Sequence, residues 1–111
     1  MDLKPTKNYV NRTLVIDIEG TIVARVDDSK IAFCKTLTNF ESDFILVSDH
    51  LLFKIRPYAL EFLMAANSFY EIIAFSFLPL ETIEKILSHI EREIHNQNIY
   101  QNEKPNEFMR V

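Results

Sequence analysis

The alternation of apolar and polar positions divides the chain into short strand-like runs and two helical stretches. The first run, residues 12–18, sets Leu14, Val15 and Ile16 side by side and reaches Asp17. Near-continuous apolarity of this kind suits an interior strand covered on both faces. Residues 43–48 (DFILVS) and 51–55 (LLFKI) are two further runs around Asp49-His50, the pattern of a hairpin. Arg56-Pro57 breaks the second run. Proline is suited to the first turn of a helix, and residues 58–68 (YALEFLMAANS) are rich in helix formers. Their near-unbroken apolarity predicts packing on most sides. Residues 70–76 (YEIIAFS) read as another buried strand. Pro79 then opens a second helix, with Ile83, Ile86, Leu87, Ile90 and Ile94 on one stripe and Glu84, Lys85, Glu91 and Arg92 elsewhere. This is the clearest periodicity in the chain and reads as core packing. Residues 24–42 show no clear pattern beyond an acidic spot at Asp27-Asp28 and an apolar group at Ile31-Ala32-Phe33.

The predicted order is strand, hairpin, helix, strand, helix, an α/β arrangement. Two strands joined through a helix of this length favour a right-handed parallel crossover. Asp17 would then end one strand and Ser76 the other, at the same edge of the sheet. Open α/β sheets keep their ligands at that edge. Just beyond Asp17 come Glu19, then Gly20, the one glycine in the chain, and Thr21. Alternate strand residues point the same way, so Asp17 and Glu19 can face one pocket. A carboxylate can act as a nucleophile, and a neighbouring acid can protonate a leaving group and later activate water. Gly20 allows the backbone to turn and present N–H groups to an anion. Mg²⁺ suits such a site, being held by one or two carboxylates together with substrate phosphate. The competing reading of residues 13–22 is a strand followed by an ordinary polar turn.

Composition narrows the classes. A chain of 111 residues with 48% hydrophobic and 25% charged positions is a single globular domain. The divisions are an arm over residues 1–11, the domain over 12–95 and a polar tail over 96–111. A net charge of −4 argues against a nucleic-acid-binding face. No apolar run has the length of a membrane span. One cysteine, Cys34, makes no internal disulfide and is expected as a small buried hydrophobe rather than a nucleophile. The first residues lack a signal-peptide core, so nucleus or cytoplasm is the expected location. His50, His89 and His95 have no metal-ligand spacing and are expected on the surface. Arg56 either faces the pocket or ends the hairpin.

Three stretches, LVIDIEGTIV (14–23), LLFKIRPYALEFL (51–63) and YEIIAFSFLPLETIEKIL (70–87), resemble the carboxy-terminal-domain phosphatase group of the haloacid dehalogenase superfamily, the NLI-interacting-factor-like family. The resemblance covers residues 13 to about 95. It implies an incomplete doubly wound parallel sheet of haloacid dehalogenase type with a β-hairpin insertion. It also implies a Mg²⁺-dependent phosphoprotein (Ser/Thr) phosphatase working through an aspartyl-phosphate. Carried over by position, Asp17 is the nucleophile and a metal-ligand carboxylate. Glu19 is the general acid/base, with its backbone carbonyl as a second metal ligand. Gly20 and Thr21 belong to the phosphate-binding turn, and Ser76 is the phosphate-binding hydroxyl of the second motif.

The chain also departs from the family pattern. Glu19 stands where the family has Asp, and a misplacement of about 1 Å can cost on the order of 10²-fold. Phe77-Leu78-Pro79 replaces small and hydroxyl residues. No counterpart of the family's third-motif lysine or fourth-motif acid follows residue 95, and Glu103, Lys104 and Glu107 sit in the wrong context for those roles. Losing one charge-stabilising group typically costs about 10²–10³-fold. The expectation is therefore a truncated relative whose strand 12–18 keeps an open apolar edge. A phosphoprotein substrate or a protein partner is expected, the partner covering that edge. The alternative is a non-catalytic homologue that serves as a protein-binding module or is a fragment.

Overall fold

The computed structural model describes residues 12–97 and the backbone strand at 109–110. The strands are β1 (Thr13–Asp17), β2 (Val23–Arg25), β3 (Phe44–Ser48), β4 (Leu51–Ile55), β5 (Glu71–Phe75) and β6 (Met109–Arg110). The helices are α1 (Ile31–Cys34), α2 (Phe40–Asp43), α3 (Ala59–Asn67) and α4 (Leu80–Gln97), with a 3₁₀ turn at Asp28–Lys30. They form a mixed α/β fold with two sheets. One is parallel in the order β1-β5-β6, the other antiparallel in the order β2-β4-β3.

β1 and β5 pair in parallel from Thr13↔Glu71 to Asp17↔Phe75. Parallel partners share a face, so Leu14, Ile16, Ile72 and Ala74 point to one side and Thr13, Val15, Asp17, Ile73 and Phe75 to the other. The first side is core, packed with Leu60, Leu63 and Ala66 of α3 and the isoleucine stripe of α4. On the second side Val15 is 61% exposed and Phe75 is 46% exposed. β1 is therefore covered on one face only, and among the described strands it ends its sheet rather than lying inside it. The apolar triplet had suggested burial on both faces, but Val15 stands on the water side of the pleat.

The hairpin forms as its sequence predicts, with β3 and β4 antiparallel around Asp49-His50. What the sequence hides is β2, a three-residue strand paired with β4 from Val23↔Ile55 to Arg25↔Phe53. Its strand state comes from this long-range partner, since one buried residue in three leaves no local pattern. The unpatterned stretch 24–42 proves to be β2 followed by the 3₁₀ turn, α1 and α2. There Ile31, Phe44 and Leu52 form a small second core, with Cys34 packed at its border.

α4 buries its predicted stripe (Ile83, Ile86, Leu87, Ile90, Ile94), and Pro79 opens it, its carbonyl accepting the Ile83 N–H at 3.0 Å. His89 is buried with that stripe, not at the surface. Arg92 donates to its Nδ1 at 3.0 Å, which leaves Nε2–H to donate to the Ser42 carbonyl at 3.2 Å. Lys85 reaches the Val47 carbonyl at 3.4 Å. α4 thus meets carbonyls just before and within β3, which tempers an edge strand. α3 differs from its expectation too. It buries Ala59, Leu60, Leu63 and Ala66 on one face and leaves Phe62 47% exposed on the other, so it is not packed on most sides. Pro57 lies outside α3, because Tyr58 takes a left-handed conformation at the helix entrance.

Candidate active site

Beyond Asp17 the chain folds into a closed loop. The Ile18 carbonyl accepts the N–H of Ile22 at 2.9 Å and of Val23 at 3.0 Å, with Thr21 more distant at 3.4 Å. Gly20 donates its N–H to the Val23 carbonyl at 2.7 Å. Ile18, Ile22 and Val23 are buried beneath, so apolar side chains anchor a polar rim. Gly20 has φ +94°, a conformation that side-chain-bearing residues rarely adopt. Its role is therefore backbone shape. Its own N–H is spent inside the loop and is not presented to an anion as the sequence had suggested.

The parallel register sets Asp17 beside Phe75, one residue before Ser76. The Ile18 N–H, bonded to the Phe75 carbonyl at 3.0 Å, continues the ladder past Asp17. Asp17 and Ser76 thus share the carboxyl edge of the β1–β5 pair. The Asp17 side chain is exposed and Ser76 is half-buried. Ser76 Oγ accepts the Leu78 N–H at 3.0 Å. This local turn orients the hydroxyl and leaves its own proton to be donated.

Glu19 lies two residues beyond the end of β1, in a backbone bridge with Val23. Its carboxylate pairs with Arg25 of β2 at 3.3 Å, and both side chains are partly exposed. Arg25 also lies over the Phe53 ring at 5.5 Å. Thr21 is exposed on the loop rim. Arg56 faces the loop, its Nη1 donating to the Gly20 carbonyl at 2.8 Å. Its place directly after a predicted strand, before a proline, was the sequence signal for it.

The donor set for a divalent cation is small. Among the described residues no three Asp, Glu, His or Cys gather as a metal cluster. Asp17 offers an exposed carboxylate. The loop hydrogen bonds run to the carbonyls of Ile18, Gly20, Ile22 and Val23, so the Glu19 carbonyl stands outside that network. Mg²⁺ keeps several waters and is commonly held by one or two carboxylates plus phosphate. The residues fit a metal that arrives with its phosphate better than one bound alone.

An open cleft of about 550 Å³ lies between β3 and α4, lined by Ile45, Leu46, Lys85, His89 and Arg92 among others. None of the candidate site residues lines it. His50 is exposed and touches Asp28 at 3.2 Å. Glu103, Lys104 and Glu107 lie outside the described residues. No helix among the described residues is long and apolar enough to cross a membrane.

No curated protein and no solved structure matches the chain. A family model does, over residues 12–110, nearly the whole chain and all of the elements above. The chain belongs to the NLI interacting factor-like phosphatase family.

Proposed function

We propose that the chain is a phosphoprotein phosphatase of haloacid dehalogenase type that transfers the phosphoryl group of a phosphoserine or phosphothreonine to Asp17. The observation that supports this reading best is the parallel β1–β5 register, which sets an exposed carboxylate and a hydroxyl at one sheet edge. An Asp17 oxygen attacks phosphorus, and the bond from phosphorus to the serine or threonine oxygen breaks. Glu19 gives that leaving oxygen its proton. In the second half Glu19 takes a proton from water, whose oxygen attacks phosphorus and frees Asp17 and inorganic phosphate. Ser76 donates its hydroxyl proton to a phosphoryl oxygen, and Thr21, exposed on the loop rim, is the second hydroxyl of the site. Asp17 and the Glu19 carbonyl would hold Mg²⁺, which when bound neutralises phosphoryl charge.

Glu19 must leave Arg25 to act. An exposed ion pair is worth about 0–1 kcal/mol, so that movement is a small part of the barrier. The same pair favours a second reading, a non-catalytic relative in which Glu19 is structural and a protein partner docks along β1. Hydrolysis of p-nitrophenyl phosphate by wild type and Asp17→Asn, with and without Mg²⁺, separates the two. Metal-dependent turnover that vanishes in Asp17→Asn supports the phosphatase. Equal rates for the two proteins leave the non-catalytic relative. Phosphoserine, phosphothreonine and phosphotyrosine peptides then set the substrate class.

A further inference from the structure

Arg56 reaches the 18–23 loop twice. Its backbone N–H donates to the Ile22 carbonyl at 2.9 Å and its guanidinium to the Gly20 carbonyl at 2.8 Å. The two contacts bracket Thr21. The next turn of chain is strained, for Tyr58 has φ +66° and ψ +4° with a ring that is 80% exposed. A bulky side chain holds such a conformation only where its surroundings over-determine it. The exposed ring gains little from packing. The turn is held on one side by the Arg56 carbonyl, which accepts the Ala59 N–H at 3.1 Å, and on the other by the Tyr58 carbonyl, which accepts the Phe62 N–H of α3 at 2.9 Å. Gly20 and Tyr58 are the two positive-φ residues among the described residues, and Arg56 ties their segments together.

We propose that Arg56 is the positioning residue of this loop: by holding the Gly20 carbonyl it sets where Glu19 and Thr21 stand relative to Asp17. The catalytic part of this proposal rests on the phosphatase reading. The bond is charge-assisted, hence stronger than a neutral one. It also uses the planar fork of arginine, which a flexible lysine ammonium does not reproduce. Strain at Tyr58 and the left-handed Gly20 are then two ends of one brace, set between the hairpin and the carboxyl edge of β1.

Gly20 is the chain's one glycine, so selective [¹⁵N]glycine labelling gives one amide signal that reports the loop without any turnover. In Arg56→Ala that signal moves, and its hydrogen exchange quickens by about tenfold or more as the loop opens locally. Arg56→Lys moves it as well and restores little. With p-nitrophenyl phosphate and Mg²⁺, kcat falls on the order of 10²-fold in Arg56→Ala while KM changes little, the signature of misplaced groups rather than lost binding. A Gly20 signal unmoved in both variants overturns the proposal, as does an unchanged kcat. If wild type shows no turnover that Asp17→Asn removes, the phosphatase reading fails separately. The Gly20 signal then decides the brace: moved, the positioning stands as a property of the loop; unmoved, it falls.

Discussion

The two sheets meet water differently. β4 runs through the middle of the antiparallel sheet with Leu52 and Phe53 wholly buried, whereas β1 of the parallel pair turns Val15 and Asp17 outward. Candidate chemistry gathers on the second sheet and support on the first. Asp17 and Ser76 belong to the parallel pair. The loop that leads from β1 to β2 rests on the antiparallel sheet, through β2 paired to β4 and through Arg56 just past the end of β4. The β3–β4 hairpin, through β4, therefore supports the loop of the site.

That division predicts unequal costs. Phe53→Ala removes a fully buried ring and is expected to destabilise by about 3–5 kcal/mol, a large share of a small domain's stability. Val15→Ala, on the open face of β1, should stay within about 0.5 kcal/mol. Urea unfolding of both variants measures the contrast. Equal losses would mean that the outer face of β1 is covered in solution and that the comparison is wrong.

His89→Ala tests how α4 joins the two regions. The substitution leaves the Ser42 carbonyl without its donor and Arg92 without its acceptor. A loss of about 1–3 kcal/mol is expected, since the ring is buried with the α4 stripe and both part-buried hydrogen bonds go with it. Arg92→Gln should cost less, because it spares the Ser42 bond.

The sequence showed those parts of the fold whose cause is local. The α4 stripe, the β3–β4 hairpin and the β1–β5 strands carry their own periodicity or turn residues. His89 was legible in principle, three residues after Ile86 and so on the same helix face. β2 was not, because Val23-Ala24-Arg25 is a strand only through β4. The left-handed Tyr58 was not either, since Pro57 before a helix-forming run normally reads as the helix start. At the site, position in the chain gave Asp17 and Ser76 a common edge. It did not give the Glu19–Arg25 pair, because strand alternation was carried one residue pair past the end of the strand.

Gly20→Ala separates shape from space. A Cβ at Gly20 would meet nothing within 4 Å, so crowding does not enter. The positive φ does, and a left-handed residue with a side chain costs about 1–2 kcal/mol. Thermal unfolding should show that loss. No loss would mean that the loop relaxes freely and does not hold the rim in place.

Arg25→Gln is the mildest change and bears most directly on the division between support and chemistry. Arg25 belongs to the supporting sheet, yet it holds Glu19. The exposed ion pair is worth about 0–1 kcal/mol and its contact over Phe53 about 0.5–1 kcal/mol. Stability should therefore fall by no more than about 1–2 kcal/mol, as denaturant unfolding would show. On the phosphatase reading Glu19 must leave this ion pair to act, so kcat should rise by at most about fivefold. A fall of tenfold or more would mean that Arg25 itself acts on the phosphate, and that the supporting sheet contributes to the chemistry it was taken only to hold.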